Sequence, residues 1–151
     1  MISGKKSKLT NKWKEIEHTA DVGIIAYGES FEEMFKNAAY GMLNISYGNL
    51  SIDSDLSLKV FVEENNEFNL LVSWLSEINY LTVVNDFIAH EIKSIQIEHT
   101  PELWKLNAEL NGTQAANFLD FFNTEIKAVT YHQLKIEKKK GHYECQVIFD
   151  I

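Results

Sequence analysis

Two aspartates, one toward each end of the chain, offer the chemistry that most needs explaining. Asp150 lies in ECQVIFDI, residues 144–151, where an alternating strand pattern runs to the last residue. Tyr143, Cys145, Val147, Phe149 and Ile151 share one side of that strand. His142, Glu144, Gln146 and Asp150 share the other, with Ile148 as the exception. Asp150 and the Ile151 α-carboxylate put two anionic groups within one residue of each other. Alone they read as a solvated strand end; folded against a further acid they repel unless a cation or a lysine neutralises them. A ligand set made only of oxygen selects a hard cation, calcium, magnesium or manganese, over zinc or copper. Asp21 lies in HTADVG, a turn-prone stretch between two short strands. Its position fits an Asx-turn or capping residue as well as a ligand, and nothing in the spacing alone makes it the partner of Asp150.

Other polar residues carry weaker signals. His18 and Thr19 flank Asp21 and are placed to support it. The run EIKAVTYH, 125–132, sets Glu125 and Lys127 on one strand face with Val129 and Tyr131, and Thr130 and His132 on the other. That pattern also describes an ordinary edge strand. His90, His99, His132 and His142 show no zinc-ligand spacing, and there is no phosphate-binding glycine loop or nucleophile elbow. Cys145 falls on the apolar face and reads as core, and Lys138–Lys140 as a solvated hairpin tip.

The bulk composition narrows the partners. At 151 residues the chain is long enough for one domain with a core of its own. MISGKKSKLTNK has no apolar stretch of a secretory signal, and no later run approaches the ~18 apolar residues of a membrane span. We expect a flexible leader over 1–12 and a single domain over 13–151. One cysteine excludes an internal disulfide and fits a reducing, cytoplasmic setting. The net charge is −8, yet residues 1–12 hold four lysines and no acid, which leaves ten lysines against 22 acids beyond them. All 14 cationic residues are lysine. Without arginine, the usual fork for phosphate and guanine, an acidic globule is a poor independent reader of RNA. A protein or a cation is the better partner.

The elements that must hold these residues follow from periodicity. Strands are predicted at 13–18 and 24–28. Ser30, with Glu33 three residues on, opens a helix that stops near Asn44–Gly48. A strand at 56–63 leads through Asn65-Asn66 to a second helix over 67–84. Strands follow at 87–90, 92–99 and 102–110, with a turn at Asn111-Gly112. The stretch 113–123 reads as either a short helix or a surface loop. The end of the chain reads as a hairpin, strand 125–137 returning over Lys138–Gly141 into strand 142–151. The order argues for an α+β fold with two main helices on a largely antiparallel sheet or sandwich.

Three blocks together resemble the archease family: HTADVGIIAYGESFEEMFKNAAYGML at 18–43, LLVSWLSEINYL at 70–81, and EIKAVTYHQLKI with the terminal VIFDI. The resemblance runs from about residue 13 to the end. It implies a small cytoplasmic accessory protein, not an enzyme in its own right, that assists the RtcB-type RNA ligase of tRNA splicing and RNA repair. Such proteins promote guanylylation of the ligase, allow its repeated turnover and broaden its nucleotide use, so contact with tRNA or other RNA is indirect. The resemblance also implies a divalent cation, commonly calcium, with magnesium or manganese as alternatives, held by Asp21, Asp150 and Ile151. Lys127 is a functional candidate beside that site, as are His18 and His132. A second role proposed for the family is protein chaperone or specificity modulator of a tRNA methyltransferase. A third reading, a metal-dependent phosphoesterase, would need His18 or His132 as its base. The chain departs from the family in TQAANFLDFFNT and in having Tyr143 where tryptophan is common.

Overall fold

Ser30 and Asn66 decide where the two helices begin. The structure is a computed structural model that describes residues 11–17, 21–48, 54–114 and 123–151. In it the Ser30 hydroxyl accepts from the Glu33 backbone N–H at 3.1 Å and starts helix α1, Phe31–Tyr47. Glu33 returns the bond one residue early, accepting from the N–H of Glu29 at 2.5 Å. Gly48, at φ 67°, closes α1 by donating to the carbonyl of Asn44. The side chain of Asn66 accepts from the N–H of Asn69 and starts α2, Glu67–Asn85; Asp86 ends it in the left-handed region.

The strands form two antiparallel sheets. In the first, β1 (Trp13–Glu17) pairs with β2 (Asp21–Gly28), and β2 with β8 (His142–Asp150). The far edge of β8 is shared by β6 (Ala128–Val129) and β7 (Lys135–Lys139). In the second, β5 (Trp104–Gln114) lies between β3 (Leu56–Glu64) and β4 (Phe87–His99). Helix α1 packs on β2 and reaches β4, so it bridges the sheets; α2 covers β3, β4 and β5. One continuous apolar core results. Trp74 is wholly buried in it and donates its indole N–H to the carbonyl of Phe35, locking α2 to α1. Phe31 stacks on Tyr143 at 4.8 Å and meets Trp104 edge-on at 5.4 Å, joining β8 to β5. Ile148, the exception in its strand, is buried because it lies over Gly23, where a Cβ would come within 2.6 Å of its Cδ1.

The α+β class with two helices and antiparallel sheets is as expected from the sequence, but several element boundaries are not. Asp21 is the first residue of β2 and not part of a turn. The predicted strands 87–90 and 92–99 are one strand, bent by irregularities at Ala89/Glu91 and Ile92/Ser94. Asn111-Gly112 lies inside β5. The glycine is there because a Cβ would sit 2.0 Å from the Ile88 carbonyl oxygen, at the close approach beside the first of those irregularities. The long strand expected over 125–137 is broken in two. Gln133, at φ 52°, and a bond from the Leu134 N–H to the Tyr131 carbonyl turn the chain between β6 and β7. Of the leader, residues 1–10 lie outside the described residues; of the stretch 113–123, Thr113 and Gln114 extend β5, and 115–122 lie outside them. Among the described residues no helix is long and apolar enough to cross a membrane.

Candidate metal centre

The pairing of β2 with β8 puts Asp21 directly opposite Asp150. Residues so opposed point to the same face, with Cβ atoms about 4.5–5.5 Å apart. Asp21 is half-buried and Asp150 exposed. On its other side the backbone of Asp150 is held by β6: its carbonyl accepts from the Lys127 N–H at 2.8 Å, and Ala128 is its register partner. Both the N–H and the hydroxyl of Thr130 donate to the carbonyl of Ile148, at 3.1 and 2.8 Å. The segment leading into β6 is anchored in turn to α2, where the Asn79 amide donates to the carbonyl of the buried Ile126 at 2.9 Å. The last strand is therefore fixed on both edges up to Asp150, and Ile151 follows as the first residue beyond it.

A hollow of about 430 Å³ opens beside this strand end, lined by Glu15, Asp21, Asn44, Asn123, Thr124 and Ile151 among others. The C-terminal end of α1 supports it: the Ser46 carbonyl accepts from the N–H groups of Asn123 and Thr124 at 2.9 and 3.3 Å. Helix C-termini carry partial negative charge, and the last turn of α1 holds no basic residue. Among the described residues no lysine lines the hollow. Oxygen donors of this kind fit a hard cation and offer nothing to a soft one. Among the described residues no three His, Cys, Asp or Glu side chains are grouped to hold a metal by themselves.

The structure thus brings Asp21 into register with Asp150, and Asp21 into one hollow with Ile151. Asp150 does not line that hollow. Lys127 adjoins the site through its backbone, with its side chain exposed. His132 is exposed in the turn after β6, where its N–H donates to the Thr130 hydroxyl at 3.2 Å. His18 lies outside the described residues. Glu15, Asn44, Asn123 and Thr124 were not apparent from the sequence as lining residues. Glu15 did leave a signal, because alternation along β1 sets it on the side of Trp13, whose ring packs against Gly41 of α1.

Residues 13–151 match the Archease protein family (MTH1598/TM1083), and the chain belongs to that family. It is 36% identical over 140 residues to protein archease of Methanosarcina mazei, across 93% of this chain and 96% of that protein. It is 33% identical to protein archease of Thermococcus kodakarensis, across 93% and 99%. The solution structure of Methanobacterium thermoautotrophicum protein 1598 superposes with a TM-score of 0.79 at 25% identity, covering 93% of this chain and 99% of that one. The crystal structure of a Thermotoga maritima archease, described as a possible chaperone, shares the fold with a TM-score of 0.56 at 22% identity, covering 90% and 94%.

Proposed function

We propose that this protein is a non-catalytic, cytoplasmic activator of an RtcB-type RNA ligase, promoting its guanylylation and repeated turnover with a divalent cation bound at the end of β8. The observation that carries the reading is the opposed pair Asp21 and Asp150, with Ile151 beside them, at the positions the family resemblance assigns to the ion. Calcium is the first choice, with magnesium and manganese as alternatives of the same chemistry. The ion would supply a fixed positive charge at an acidic surface. The chain's own contribution is to hold the donors: β2 positions Asp21, β6 pins the backbone of Asp150, and α1 supports the hollow. Lys127 lies next to Ala128, the register partner of Asp150, with its side chain free to meet a partner protein. An acidic chain without arginine leaves the handling of tRNA or other RNA to the ligase.

The test is multiple-turnover RNA ligation by the cognate ligase with GTP and metal, with and without this protein. Acceleration that Asp21→Ala abolishes supports the reading. An active ligase that the protein does not accelerate refutes it. The Thermotoga description favours a second reading, a chaperone or specificity modulator, here of a tRNA methyltransferase. That role predicts suppressed methyltransferase aggregation without any need for GTP.

A further inference from the structure

The two outer strands of the second sheet are treated differently, and the contrast points to a partner. Strand β4 is shielded: its register is broken twice, and α1 caps its edge. The Tyr40 hydroxyl accepts from the N–H of Ile92 at 2.9 Å, and Glu32 accepts from the N–H of Ile97 at 3.3 Å. Strand β3 has none of this. It runs nine residues in unbroken register with β5 and, among the described residues, pairs with nothing on its other side. It contains no proline or glycine. A long, flat, uncovered edge is a template for another strand. Apolar groups flank it on both faces. Phe61, 55% exposed, stands on the outer face, and Tyr80, 52% exposed, lines a groove between β3 and α2 with Val62 and Ser73.

We propose that β3 pairs antiparallel with β3 of a second copy of this chain about a two-fold axis at Phe61. The charges select both the partner and the register. In such a pair opposed residues share a face, so the axis must pass through a residue position. With the axis at Phe61, Lys59 of each copy faces Glu63 of the other, Val60 faces Val62, and the two Phe61 rings meet. Moving the axis to Val60 sets Lys59 against Phe61; moving it to Lys59 sets lysine against lysine. Within one chain Glu63 already faces Lys105, and Lys59 faces Glu109. The Phe61 register therefore continues one alternating row across the interface: Lys105, Glu63, then Lys59 and Glu109 of the second copy. The two three-stranded sheets become one sheet of six. The Asp21–Asp150 end of the first sheet is not part of this contact.

Sedimentation equilibrium of the intact chain over a wide concentration range tests the proposal, with a monomer–dimer equilibrium expected. Lys59→Glu and Glu63→Lys alter exposed residues and set like charges opposite each other twice per dimer. Each is expected to weaken self-association by about tenfold or more in Kd. The two variants mixed regain opposite charges at both pairs, so they form a heterodimer, an outcome that simple misfolding would not give. Phe61→Cys is expected to oxidise to a covalent dimer, because residues at the axis lie within disulfide reach and the native Cys145 is buried. A chain that stays monomeric at millimolar concentration, or charge reversals that leave Kd unchanged, would overturn the proposal and leave this edge to a strand of a different protein.

Discussion

Asp21 and Asp150 occupy opposed positions across β2 and β8, on strands whose backbone pairing holds them together whatever their side chains carry. Like charges so placed cost roughly 0.2–1 kcal/mol, and a bound cation turns that cost into affinity. With chelator present, Asp21→Asn should leave the urea midpoint unchanged or raise it slightly. With calcium at about a hundred times its Kd, the wild-type chain should gain about 2.7 kcal/mol of stability, and the variant much less. Equal loss of stability by Asp21→Asn in chelator and in calcium would assign Asp21 a purely structural role.

The proposed ion also takes the carboxylate of Ile151, a main-chain group, so that donor can be removed without changing any side chain. Two residues added after Ile151 convert it to an amide carbonyl and carry the negative charge away. Ile151 lies past the last paired residue and is exposed, so the addition disturbs no strand pairing. Isothermal titration with calcium should show binding weakened about tenfold or more, with the melting temperature in chelator unaltered. Undiminished binding would restrict the ligands to side chains.

Gly112 and Gly141 are both glycines in or beside strands, and the structure separates them. A Cβ on Gly112 would lie 2.0 Å from the Ile88 carbonyl oxygen, a backbone atom that cannot move without parting β4 from β5. Gly112→Ala should cost about 3 kcal/mol. Gly141, at φ 82°, has nothing within 4 Å of such an atom, so Gly141→Ala should cost only the backbone strain, roughly 1–2 kcal/mol. Chemical denaturation of both variants checks the order, and a larger loss at Gly141 would contradict it.

The same glycine marks where sequence reading works and where it fails. Both helices were legible, because Ser30 with Glu33 and Asn66 just before an apolar run are local signals, and local bonds start both helices. Asn111-Gly112 has the composition of a hairpin turn, but its glycine answers to Ile88, more than twenty positions away, and no local rule contains that contact. The break between β6 and β7 was hidden for a similar reason. Leu134 and Ile136 alternate in a pattern of their own, out of phase with Val129, and the turn at Gln133 that resets the phase follows Thr130, which is held by the carbonyl of Ile148. At the candidate site the acids of the resemblance stood out as a motif. Their register did not, since β2 and β8 meet only when nearly the whole chain has folded. Asn44 and Thr124 carry no motif and enter through the fold alone.

Cys145 and Tyr47 make a prediction about alkaline pH. Burial pushes the Cys145 thiol up to about 12 from an ordinary 9.0. Tyr47, whose hydroxyl donates to the carbonyl of Ala89, is also raised by burial above its ordinary 10.0. Below pH 9 both groups keep their protons in the folded and the unfolded chain, and their contribution to stability is fully present. Above it the unfolded chain releases the thiol proton while the folded chain retains it, so stability falls as pH climbs toward 12, with Tyr47 adding to the slope from about 10 upward. Cys145→Ala should flatten this decline by up to one proton, roughly 1.4 kcal/mol per pH unit, and Tyr47→Phe should flatten its upper part. Urea midpoints measured from roughly pH 8 to 11 give the slopes directly. If wild type and Cys145→Ala decline in parallel, the thiol ionises as readily in the folded chain as in the unfolded one.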